Sequence, residues 1–140
     1  MSLPPFAVTN DAELEEAVRD KASYDDNGDE WPNSQAEGNI NDAKRVLYIK
    51  TGSDRWYEDV AYGQALVAMT AMKAKEAVEN VNISSYGIGN ETLSFDNADP
   101  DSSQQIQSWS AEVEEALNES EISFGKTQDL PFGNTSNYIG

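Results

Sequence analysis

"VAYGQALVAMTAM", residues 60–72, holds only two clearly polar side chains, Gln64 and Thr70. Wound as a helix, it points apolar groups nearly all round, so it must be surrounded by other structure. Its alanines and Gly63 let neighbours approach closely, which fits either the core of a helical domain or a subunit interface. The helix is expected to run from about Asp54, after the break "TGSD", to about Asn80.

Upstream, "TNDAELEEAVRDKA" (9–22) pairs Asn10 with Glu13 in a capping pattern and sets Leu14, Ala17, Val18 and Ala22 at helical spacing. The acidic run "SYDDNGDEWPNS" (23–34), with Gly28 and Pro32, lacks periodicity and reads as a loop. A second helix is expected from Ser34 to about Lys50, with Ile40, Ala43, Val46 and Leu47 on one side and Gly52 ending it.

Downstream, the period changes to two in "YGIGNETLSF" (86–95). Pairing Ile88 with Leu93 and Tyr86 with Phe95 puts four apolar groups on one face of a β-hairpin, with Gly89 and Asn90 in the turn. The opposite register would bury Glu91. A last helix from about Asp101 to Asn118 carries Ile106, Trp109, Val113 and Leu117 as an apolar stripe. Beyond Glu119, Phe124, Leu130, Phe132, Tyr138 and Ile139 are scattered among Gly, Pro, Ser, Thr and Asn. That segment either orders on a partner or folds back on its own domain.

The 140 residues suit one domain, and 38% apolar content supports a modest core. Twenty-six acidic residues against nine basic ones give a formal charge of −17, spread along the chain. Nucleic-acid phosphates are repelled by such a surface. Self-repulsion also destabilises a compact domain at low salt, whereas molar salt shortens the Debye length to roughly 3 Å. A halophilic source is therefore expected. The absence of cysteine excludes disulfides and thiolate catalysis, and the absence of histidine removes the commonest general base and metal ligand. "MSLPPFAVTN" has no signal-peptide pattern and no stretch is apolar enough to span a membrane, so a soluble, non-secreted protein is expected.

Candidate chemistry is thin. The Gly-x-Gly of residues 87–89 follows a helix, precedes a strand and has no nearby lysine, which argues against a phosphate cradle. Asp25, Asn27 and Asp29 have calcium-loop spacing, but Glu30 stands where glycine is needed and Ala36 where the bidentate glutamate belongs. Asn97, Asp99 and Asp101 fail in the same way, with Ser108 at the twelfth position. The pairs Glu15–Glu16 and Glu114–Glu115 read as solvated helix faces. Four Asn-x-Ser/Thr sequons, at Asn82, Asn90, Asn118 and Asn134, are what chance supplies in such a composition. No enzyme, cofactor or metal is expected.

Two short helices, a long Ala-rich helix, a hairpin of the form Ile-Gly-(Asn/Asp)-x-x-(apolar)-Ser-Phe and a closing helix with a tryptophan form an order over residues 10–118 that resembles the head–tail connector adaptors of long-tailed viruses. The resemblance implies a structural virion protein at the neck, made in the host cytoplasm. It forms a ring, usually a dodecamer, between the portal and a stopper or tail-completion protein, and DNA passes through without specific binding. It also implies that Gly89 and Asn90 turn the hairpin and that Tyr86, Ile88, Leu93 and Phe95 form its packing face. Composition, not a shared motif, nominates Phe124, Leu130, Phe132, Tyr138 and Ile139 as portal-binding anchors. With the charge, the implied source is a virus of a halophilic archaeon.

The expected architecture is mainly α: an N-terminal segment (1–9), a bundle of about four helices (10–118) with a hairpin at about 84–96, and an extended C-terminal arm (119–140). The alternative from another class is an acidic halophilic binding module that mimics DNA or sequesters a basic partner. An enzyme using a metal on Asp and Glu ligands ranks third.

Overall fold

The computed structural model describes residues 7–25, 27–88 and 91–120. In chain order the elements are α1 (Asp11–Ala22), α2 (Asn33–Thr51), α3 (Val60–Glu79), β1 (Asn82–Ser85), β2 (Ser94–Asp96) and α4 (Pro100–Glu119). The fold is thus mainly helical with one small antiparallel hairpin.

Side-chain caps place the starts of three of the four helices, α1, α3 and α4. Asn10 Oδ1 accepts from the Glu13 N–H at 2.9 Å, and the Glu13 carboxylate reaches back to the Thr9 N–H at 2.8 Å. Two orphan donors at the start of α1 are satisfied in this way. Gly52, at φ +75°, closes α2 and donates its N–H to Tyr48 O at 2.7 Å. Asp99 caps α4 ahead of Pro100 by accepting from the Ser102 N–H at 2.9 Å. One end differs from expectation: α3 begins at Val60, not at Asp54. Asp59 accepts from the Tyr62 N–H at 3.0 Å, a strong N-cap, and the preceding residues instead turn back on Arg55 O.

The all-round apolar helix is enclosed by its own subunit. From Tyr62 to Met72, α3 is buried at every position except Gln64, and α1, α2 and α4 all pack on it. The end of α2 meets the start of α3 through the 2.7 Å bond between the Thr51 and Tyr62 hydroxyls, and the two helices pack on each other. The pairing of Glu79 with Ser102 and of Lys75 with Gln105 sets α4 antiparallel to α3. Gly63 answers to chain that is not helical. A Cβ there would sit 2.8 Å from Trp56 O and 3.2 Å from Val8 Cγ2, so the α2–α3 connection and the N-terminal segment press directly on the helix. Of core and interface, α3 is core.

The acidic loop between α1 and α2 is anchored by Trp31, which is fully buried. Its Nε1 donates to Asn39 Oδ1 at 2.8 Å, the Arg19 guanidinium lies 5.1 Å from its ring centroid, and Tyr24 packs 6.0 Å away.

The hairpin departs from the expected register. Asn82 pairs with Asp96, Ile83 with Phe95 and Ser85 with Ser94, with an irregularity between Ile83 and Ser85. Tyr86 and Ile88 therefore leave the ladder instead of opposing Phe95 and Leu93. The cause is the core: Ile88 is only 1% exposed, and its place in the core cluster removes more apolar surface from water than a place on a two-stranded ribbon. Gly89, Asn90, Phe124, Leu130, Phe132, Tyr138 and Ile139 lie outside the described residues. Among the described residues, no helix is long and apolar enough to cross a membrane.

Candidate assembly surface

The residues on either side of the hairpin turn, 83–88 and 91–93, touch three helices. Glu76 on α3 accepts the Ile83 N–H at 3.1 Å and the Tyr86 hydroxyl, while Lys73 Nζ lies 4.7 Å from the Tyr86 ring centroid. Burial, reinforced by the bond to Glu76, pushes the Tyr86 phenol well above its ordinary range. On α4, Ser110 Oγ donates to Tyr86 O at 2.7 Å. On α2, Lys50 pairs with Glu91, which also accepts from Ser85 Oγ at 3.2 Å. Of the expected packing face, Ile88 is buried, and Tyr86, Leu93 and Phe95 are partly buried against the core. They meet there through tertiary packing rather than through cross-strand pairing.

Gly87 makes these contacts possible. Its φ of +73° is left-handed, and a Cβ would fall 2.7 Å from Ser110 Oγ and 3.2 Å from Leu93 Cβ. Sequence pattern singled out Gly89 in the same motif, because nothing local tells one glycine from the other.

Electrostatics gives this surface its character. Each of the eight cations among the described residues pairs with a different carboxylate of the same chain: Arg19–Glu15, Lys21–Glu112, Lys44–Asp11, Arg45–Asp42, Lys50–Glu91, Arg55–Glu58, Lys73–Glu76 and Lys75–Glu79. Four of these cations also lie over aromatic rings: Arg19 over Trp31, Lys44 over Trp56 and Tyr57, Lys73 over Tyr86 and Lys75 over Trp109. Among the described residues every cation is thus paired within its own chain, the Arg45 and Arg55 pairs lying on the surface. What faces outward is predominantly carboxylate, interrupted by two exposed apolar side chains on α2, Tyr48 (53%) and Ile49 (67%).

No catalytic arrangement emerges among the described residues. No group of three acidic, histidine or cysteine side chains comes together to hold a metal. In the loop with calcium-like spacing, Asn27 Oδ1 accepts from the Asp29 N–H at 3.1 Å and Glu30 accepts from the Asp25 N–H at 3.2 Å, so these groups serve their own backbone. An open groove along α4 is lined by Asp101, Gln104, Gln105, Ser108 and Trp109. Behind it, Lys75 is held by Glu79 at 2.7 Å and by Gln105. These groups offer hydrogen bonds but no nucleophile beside a base. Sequence reading missed the anchoring roles of Glu76, Glu79 and Lys75; their spacing on one face of α3 was visible, but their partners lie on other elements.

Two carboxylates tie loops to the body and define an acid response. The hydrogen bond from Lys50 chiefly holds Glu91 below the ordinary glutamate value. Burial raises Asp11, but the bonds from Lys44 and Tyr57 together with the Lys44 charge outweigh it and leave the group below the ordinary aspartate value. Groups depressed in the folded state contribute stability above their unfolded pKa that is lost as pH falls through the folded one. Stability is therefore expected to fall with acidification below the ordinary carboxylate range, and Lys50→Met should flatten that limb. Urea midpoints measured across acid pH on both chains check this, and an unchanged slope in the variant refutes it.

Comparison with protein-family models, with curated proteins and with solved structures yields no match.

Proposed function

We propose that this chain is a non-catalytic structural adaptor of a tailed virus, assembling as a ring between portal and tail with the DNA channel through its centre. The observation that carries the reading is the pairing of cations within the chain. Among the described residues all eight cations stand in ion pairs of their own subunit, so what the outward surface offers a phosphate is mostly carboxylate. A ring lined this way lets DNA slide, because no contact releases counterions from the duplex. The order of elements, two helices, an Ala-rich helix, a hairpin and a closing helix, supports the same reading.

Burial of α3 within the subunit means that it contributes no ring contact. The neighbouring copy would instead meet the α2 face with Tyr48 and Ile49 and the edge formed by the 86–93 stretch. The arm beyond α4, with Phe124, Leu130, Phe132, Tyr138 and Ile139, would anchor the portal. Two like-charged subunits repel at low ionic strength, and screening to roughly 3 Å at molar salt removes most of that repulsion. Rings are therefore expected in molar salt, alone or on the portal, and are expected to dissociate on dilution into low salt. Negative-stain images showing only monomers under both conditions would refute the ring. Deleting residues 121–140 is expected to keep the helical circular-dichroism signal and abolish attachment to the portal; retained attachment would acquit the arm.

The same outward acidity favours one other reading, an acidic module that occupies the DNA site of a basic protein. Stoichiometric capture of a basic nucleic-acid-binding protein, released by DNA and unaccompanied by rings, would establish that function instead.

A further inference from the structure

We infer that Asn27 is a site of spontaneous deamidation, a modification site built into the α1–α2 loop. It is the only asparagine in the chain followed by glycine, and it lies exposed. Its Oδ1 accepts from the Asp29 N–H at 3.1 Å. The ring closed by that bond contains the Gly28 backbone nitrogen, so the bond holds the side chain in a turn with the peptide unit whose nitrogen attacks it. The same bond draws electron density from the carbonyl and makes Cγ more electrophilic. Gly28, at φ +84°, has no side chain to hinder the approach of Asn27 Cγ to its nitrogen.

The step balances without an enzyme or an oxidant. The Gly28 nitrogen gives its proton to solvent base and bonds to Asn27 Cγ; the Cγ–Nδ2 bond breaks, ammonia leaves and a five-membered succinimide closes. Water then adds to either imide carbonyl and opens the ring to aspartate or isoaspartate. Other asparagines are engaged differently. Asn39 is buried in α2 and bonded to Trp31, Asn10 caps α1, and Asn97, although left-handed, precedes alanine.

Each conversion adds one negative charge to a loop tied down on both sides of Asn27, by Arg19 to Asp25 O at 3.2 Å and by the buried Trp31. Isoaspartate also inserts a carbon into the backbone between those ties, so it loosens the loop as well as charging it.

The full chain, held folded in molar salt at mildly alkaline pH, is sampled over days, digested and mapped by mass spectrometry, with isoaspartyl methyl transfer as a second readout. The expected result is that Asn27 converts before any other asparagine, with isoaspartate exceeding aspartate, and that Gly28→Ala and Asn27→Gln both lose the product. Because Gly28→Ala strains a left-handed position, Asn27→Gln, which keeps Gly28, serves as the unstrained control. Retention of the Asn27 amide while another asparagine converts would overturn the inference, as would an unchanged rate in Gly28→Ala.

Discussion

Trp31→Ala is expected to cost about 3–5 kcal/mol of folding stability, the range for emptying a fully buried aromatic site. The ring has no exposed surface although it stands in a loop with no periodic pattern. Three further losses accompany the cavity. Asn39 Oδ1 keeps only a 3.5 Å contact from Gln35, the Arg19 guanidinium loses the ring beneath it, and Tyr24, whose buried hydroxyl has no hydrogen-bond partner among the described residues, loses its neighbour. A domain of this size has about 5–15 kcal/mol in total, so the substitution removes a large share. Urea unfolding in molar salt reads the effect directly. Trp31→Phe, which keeps much of the ring volume and loses the Nε1 bond, should fall between the two chains. A loss under about 1 kcal/mol for Trp31→Ala, the size of a solvated surface change, would show that the loop is not anchored by this side chain.

Gly87→Ala is expected to cost roughly 2–3 kcal/mol. About 1 kcal/mol comes from placing a Cβ at φ +73°. The remainder comes from the Ser110 hydroxyl, which must swing off Tyr86 O to clear a methyl 2.7 Å away, with a hydrogen bond worth about 1 kcal/mol. The two residues should therefore couple. In a Ser110→Ala background the glycine substitution should cost about 1 kcal/mol less than alone, a departure from additivity that a double-mutant cycle resolves. Gly38→Ala is the control of opposite sign. It lies within α2 with no heavy atom within 4 Å of an added Cβ, and should stabilise by about 0.5–1 kcal/mol. Strict additivity of Gly87→Ala and Ser110→Ala would remove the proposed clash.

Helices announced themselves where the signals are local. Asn10 with Glu13, Gly52 and the Ile106–Leu117 stripe act within one or two turns, so pattern alone places α1, α2 and α4 closely. The start of α3 slipped because two candidate aspartates, Asp54 and Asp59, stand a turn apart, and which one caps depends on where Tyr62 must sit to reach Thr51. Four apolar residues alternating over 86–95 allow more than one ladder. The register was decided by the place in the core that Ile88 fills.

Sequence by itself determined that this chain is mostly helical, that residues 60–72 must be enclosed, that a hairpin follows, and that the surface repels phosphates. Composition and short-range spacing carry those conclusions, because caps, periodicity and net charge need no partner from elsewhere in the chain. Only the tertiary structure decided that the subunit itself encloses α3, that Trp31 anchors the acidic loop, that Gly87 shapes the contact with α4, and which carboxylate each cation meets. Lys50 and Glu91 stand 41 residues apart and Lys44 and Asp11 stand 33 apart. Such pairs exist because packing the helices brings them together, and pairing energies of a few tenths to about 1 kcal/mol are too small to direct that packing from the sequence.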